Sequence, residues 1–121
     1  MPGTQAMTEE TFGGRIKQRR RGLGFTQRDV ASRLGIDFTY LSKLENNRGE
    51  PPSAETIRKL AEVLHDDPQE LLALAGKVPE GLRDRAQRDV AFARLVQRLP
   101  HLSDKELQEI SRTLKITPPK K

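Results

Sequence analysis

Apolar residues recur along this chain at helical spacing, in short runs punctuated by glycine, proline and small polar residues, and no run alternates as a strand would. Phe12, Ile16 and Leu23 mark a first helix within "TFGGRIKQRRRGLG", closed by Gly22 or Gly24. Thr26 with Asp29 three residues on forms an N-terminal cap, and Phe25 with Val30 a hydrophobic staple; together they predict a second helix from Gln27 to Leu34. Asp37 caps a third, from Phe38 to Glu45 or Asn46. "NNRGEPP" reads as a loop. Ser53 caps a fourth helix with Ile57, Leu60, Ala61 and Leu64 on one face. Asp67, Pro68, Glu70 and Gly76 frame a fifth. Past "KVPEG" the texture changes. Phe92, Leu95, Val96 and Leu99 fall at i, i+3, i+4, i+7 on an Arg-rich helix that Pro100 stops. A capping box, Ser103 to Glu106, and a staple, Leu102 to Leu107, then restart a stripe continued by Ile110 and Leu114. Residues 1–10 and the terminal "TPPKK" read as loose ends.

The expected class is therefore all-α: five short helices in residues 11–76 after an N-terminal arm of residues 1–10, then a C-terminal helical appendage, residues 77–121. Composition narrows the chemistry. With 34% hydrophobic residues, a mean hydropathy of −0.72 and only four Phe and one Tyr, the core must be modest and built on aliphatic side chains. Cysteine is absent, which excludes a disulfide framework, a thiolate metal site and a cysteine nucleophile. The pattern has neither a membrane-spanning stretch nor a signal segment, so a soluble, cytoplasmic protein with no membrane partner is expected. The net charge of +5 is unevenly placed. Residues 1–76 carry 11 basic and 11 acidic side chains, and residues 77–121 carry 11 and 6. Within the first part, residues 15–48 are net +6 (nine basic, three acidic) and residues 50–76 net −4 (two basic, six acidic). Such sorting suits docking one face on a polyanion, although solvated helix faces would look the same.

Helices two and three are each shorter than the ~12–15 residues that an isolated helix needs in water. They must pack on each other. Val30, Ala31 and Leu34 offer one face, and Ile36, Leu41 and Leu44 the other. A methyl at Ala31 permits a close crossing, and Gly35 supplies the positive φ of a three-residue turn. The start of the third helix then projects as a ridge that fits the DNA major groove, ~12 Å wide. This is a helix-turn-helix.

The register of Gln27, Ala31, Gly35, Ile36, Leu41, Ser42, Leu44 and Glu45 resembles the phage-repressor and Xre (lambda-repressor-like) family of helix-turn-helix regulators, over residues 12–76. The resemblance implies a five-helix domain that binds a double-stranded DNA operator as a homodimer, without a cofactor or metal. It places the base-reading positions at Phe38, Thr39, Ser42 and Lys43. Lys43 suits guanine O6 and N7, or else a phosphate; Thr39 and Phe38 suit thymine methyl groups, or Phe38 packs on a neighbouring helix. Asp37 is better explained as a cap than as a partner of cytosine. Phosphate contacts are expected from Gln27 and Arg28 at a helix start, from Tyr40, Asn46, Asn47 and Arg48, and from Lys17 and Arg19. By the family register, Arg20 pairs with Glu45 as a structural clamp.

The C-terminal stripe, Phe92, Leu95, Val96, Leu99, Leu107, Ile110 and Leu114, is expected either to dimerise or to dock a protein partner; a solvated basic tail is the third reading. The wording "IDFTYLSKLENN…PPS…ETIRKLAEVL" also resembles a subgroup encoded beside a zinc metallopeptidase, so a linked peptidase or a toxin is a candidate partner. No catalytic constellation is present, and His65 and His101 stand far apart, so an enzyme is not expected. The expected function is a sequence-specific transcriptional repressor; the alternative is an antitoxin-like adaptor acting through residues 77–121.

Overall fold

A computed structural model describes residues 10–116. The expected arm, apart from Glu10, and the expected frayed end at 117–121 lie outside the described residues. All regular structure among the described residues is helical, and the chain divides after Lys77 into two units.

In the first unit α1 spans Phe12–Gly22, α2 Gln27–Leu34, α3 Phe38–Glu45, α4 Ala54–Leu64 and α5 Pro68–Leu74. The caps lie where short polar residues precede apolar periodicity. Thr26 accepts from the Asp29 N–H while Asp29 accepts from the Thr26 N–H, and Ser53 and Asp67 accept from Thr56 and Gln69. None of these helices could stand alone; packing holds them. Phe12, Ile16, Val30, Ala31, Leu41, Leu44, Ile57, Leu60, Ala61, Leu64 and Leu71 form one buried core. Each large member contributes ~1.5–3 kcal/mol relative to exposure. Leu23 departs from the expected stripe. Helix α1 ends at Gly22, the reversal falls at Gly24, and Leu23 between them is 38% exposed.

The second unit contains α6 (Gly81–Arg88), α7 (Val90–Arg98), a 3₁₀ turn at Leu99–His101 and α8 (Asp104–Leu114). The sequence pattern did not separate α6 from α7, because "GLRDRAQRDVAFARL" contains no proline and no internal glycine. Asp89 makes the break: its backbone turns extended and its carboxylate accepts from the Phe92 N–H at 3.2 Å. That hydrogen bond holds the Asp89 carboxyl below the usual range. Arg85 pairs with Asp89 at 3.3 Å and lies over the Phe92 ring. The capping box of Ser103 and Glu106 opens α8. No described residue of this unit is buried.

Candidate nucleic-acid interface

The turn between α2 and α3 is built from three residues. Gly35 adopts φ 72°, ψ 30°, and the Ile36 N–H donates to the Ala31 carbonyl at 3.0 Å. Asp37 then accepts from the Thr39 N–H at 2.9 Å, so its carboxylate is used as a cap. A Cβ at position 35 would meet nothing within 4 Å; the positive φ alone calls for glycine there. Ala31 is buried at the crossing.

Helix α3 presents Leu41, Leu44 and Glu45 to the domain and leaves Phe38, Thr39, Tyr40 and Lys43 exposed, with Ser42 half-buried. Positions 38, 39, 42 and 43 share one outward face, because residues four apart stack along a helix. The structure thus brings the four expected base-reading residues together.

What orients that face is a set of buried polar contacts. Arg20 reaches from α1 to Glu45 at the end of α3, with Nε to Oε2 at 2.6 Å and Nη2 to Oε1 at 3.0 Å. The two side chains are 10% and 2% exposed. Arg20 also donates to the Phe25 carbonyl at 3.0 Å, and Gln27 donates to Glu45 at 2.9 Å. A buried pair is strongly destabilising to break, because the remaining charge has no partner. A second tie joins the same end of α3 to the start of α1. Asn47, at φ 56°, accepts from the Gly13 N–H at 2.8 Å and donates to Thr11 Oγ1 at 3.1 Å. A Cβ at Gly13 would run into the Leu44 and Glu45 carbonyl oxygens, so only glycine permits this approach.

The expected phosphate set separates accordingly. Gln27 is engaged with Glu45, Asn47 with Gly13 and Thr11, and Asn46 donates back to the Ser42 carbonyl at 2.8 Å. Arg19 is turned toward α4: it donates to the Leu64 carbonyl at 3.2 Å and to that of His65, with Asp66 at 3.9 Å. These contacts satisfy orphan carbonyls at a helix end with a cation. Tyr40 and Arg48 are exposed and Lys17 is half-buried. Arg28 lies over the Phe38 ring, its guanidinium carbon 4.6 Å from the centroid.

One network escaped the sequence reading. Arg15 donates from Nε and Nη2 to the two oxygens of Asp66, both at 2.8 Å, and from Nη1 to Glu10 at 2.9 Å. Burial alone would push the Asp66 carboxyl up. The hydrogen bonds from Arg15 and the Asp67 N–H outweigh it and hold the group below the usual range. The available signal was the i, i+4 spacing of Arg15 and Arg19 on a helix that also carries Arg20.

Among the described residues no helix is long and apolar enough to cross a membrane, and no cluster of His, Asp and Glu is placed to hold a metal. Residues 13–77, more than half of the chain, match the family described as "Helix-turn-helix domain". The chain belongs to the lambda-repressor-like helix-turn-helix family. A helix-turn-helix relative of similar extent is RghRB of Bacillus subtilis (strain 168), named an uncharacterized HTH-type transcriptional regulator. It is 29% identical over 120 residues, which cover 84% of this chain and 86% of RghRB. The HTH-type transcriptional regulators SinR of Bacillus subtilis (strain 168) and of Bacillus licheniformis are each 36% identical over 53 residues, 44% of this chain and 48% of SinR. Among solved structures, SinR in complex with DNA is similar at 34% identity and a TM-score of 0.48, over 51% of this chain and 98% of that one. The SinR–SinI complex is similar at 27% identity and a TM-score of 0.49, over 87% and 95%.

Proposed function

We propose that this helix-turn-helix regulator is a homodimeric repressor that inserts α3 into the major groove of a two-fold DNA operator. The observation that carries the reading is the outward face of α3. Phe38, Thr39, Ser42 and Lys43 stand together while Arg20, Gln27 and Asn47 hold the far end of the helix. Lys43 bridges guanine O6 and N7, and Thr39 and Phe38 pack on thymine methyl groups. Lys17, Tyr40 and Arg48 contact phosphates. Gln27, Asn46 and Asn47 act on binding by positioning α3, and Arg19 braces α1 on α4. The naming of its relatives as HTH-type transcriptional regulators supports the assignment. A dimer neutralising ~6–10 phosphates loses ~10³–10⁵-fold in affinity between 50 and 200 mM salt.

The second unit serves this reading as the dimerisation element. Leu95, Leu99, Leu107 and Leu114 remain 41–62% exposed, while Phe92, Val96 and Ile110 are half-buried. The same observation favours one second reading, an adaptor that docks a protein partner such as a linked peptidase or toxin through residues 78–116. The test is selection of bound sequences from a random double-stranded library by the full-length protein and by a Lys43→Ala, Thr39→Ala variant, with sedimentation equilibrium on both. A two-fold motif lost in the variant, from a protein sedimenting as a dimer, is the expected result. Salt-sensitive binding with no motif would sink the repressor and leave the adaptor.

A further inference from the structure

The arginines of the first unit divide by what they already hold. Arg15 and Arg19 are spent on Asp66 and the α4 carbonyls, and Arg20 on Glu45. Arg33 lies over Phe25, whose ring packs against the core. Arg28 differs. Like Arg21, Arg33, Arg48 and Arg58 it donates to no oxygen and joins no ion pair among the described residues, but of these it lies over an exposed ring, that of Phe38, at 4.6 Å. Phe38 is the first residue of α3 and is 38% exposed, so part of its ring is open to a partner. Helix α2 thus carries to the start of α3 a cation whose donors meet no acceptor among the described residues, over an aromatic ring.

We infer that Arg28 and Phe38 act as one reading unit for a guanine flanked by a C5-methylated pyrimidine, an inference that rests on the proposed insertion of α3. A planar guanidinium offers a fork of donors that matches guanine O6 and N7, the commonest specific contact in the major groove. Thymine exposes a C5 methyl on the same groove edge, and an aromatic ring is a suitable apolar partner for it. Stacked base pairs rise ~3.4 Å per step, and the guanidinium carbon lies 4.6 Å from the ring centroid, a separation within reach of two neighbouring base pairs. Lys43, a point charge on a flexible stem, has no such pre-set geometry. Arg28 therefore reads bases, where sequence alone assigned it a phosphate. Because 5-methylcytosine carries the same methyl, it substitutes for thymine in this contact.

The test uses full-length protein in the same library selection, with Arg28→Ala, Arg28→Lys and Phe38→Ala variants whose thermal melts match the wild type. The expected wild-type motif contains a thymine–guanine step in each half-site. Arg28→Ala flattens the guanine position, a loss of ~5- to 100-fold in discrimination, and leaves the other positions intact, while Arg28→Lys, an ammonium without the planar fork, keeps part of it. On the selected site, deoxyuridine in place of that thymine weakens wild-type binding several-fold and leaves Phe38→Ala binding unchanged. Cytosine there is improved by C5 methylation. Uniform weakening by Arg28→Ala across all positions, with a salt slope reduced by about one, would assign Arg28 to a phosphate and overturn the inference while the repressor reading stands. Absence of any wild-type motif would overturn both.

Discussion

The two units of this chain use amphipathic helices to opposite ends. Residues 12–74 bury eleven hydrophobic side chains in one core, whereas Val78–Ile116 bury none, although α7 and α8 carry stripes as regular as that of α4. Amphipathicity records that a helix face has a partner; it does not say that the partner is in the same chain. In the first unit the partner is the next helix. In the second, Leu95, Leu107 and Leu114 face solvent, and the proposed dimerisation would cover them.

The sharpest break of this comparison lies in the clamp. Glu45→Ala leaves the Arg20 guanidinium buried without its partner and is expected to cost ~3–5 kcal/mol in urea denaturation. Replacing Arg20 and Glu45 together with methionine should recover most of that loss. Next comes a matched pair of truncations. Leu60→Ala in the first unit should cost ~2–5 kcal/mol. Leu107→Ala, at a residue 52% exposed, should leave the melting temperature of dilute protein within a few degrees. At high concentration the proposed self-association, which stabilises by mass action, should make Leu107→Ala melt lower than the wild type. Equal losses at both sites under dilution would show that the second unit has its own core.

A smaller effect is set by pH. The Asp66 carboxyl is held below its ordinary value of 3.8, so its pairing with Arg15 contributes fully above that pH and fades as pH falls through the lower folded value. Acid titration of the wild type and of Asp66→Asn should therefore converge at low pH and separate above it, followed by circular dichroism. The smallest change should be a gain. His65 ends α4 at φ 54°, a conformation that costs a side-chain-bearing residue roughly 1 kcal/mol. His65→Gly should raise stability by up to that amount, since the contact from Arg19 goes to the backbone carbonyl.

What was legible in the sequence was local. Thr26, Asp37, Ser53, Asp67 and Ser103 each cap a backbone N–H two or three residues away, so the helix starts were written in adjacent letters. The turn at Gly35 was legible for the same reason. The approach of Arg20 to Glu45 came only through the family register, since nothing local links positions 25 residues apart. Contacts without such a register stayed hidden: Gly13 with Asn47, Arg15 with Asp66, and Arg19 with the end of α4, 34 to 51 residues apart. Hence the sequence offered Arg19 and Asn47 as phosphate contacts without announcing the contacts each also makes within the protein. Asp89 was missed differently. A helix-breaking cap within an otherwise helical run resembles any other charged residue until its backbone is seen.

The double tie at the end of α3 has a calorimetric consequence. Glu45 and Asn47 anchor α3 to α1 in the free domain, so under the proposed groove insertion the backbone of α3 has no folding left to do. Coupled folding leaves a heat-capacity signature equivalent to burying ~1,000–3,000 Å² beyond the contact itself. For this helix that excess should be missing. The heat capacity change of DNA association should then carry no contribution from folding of α3.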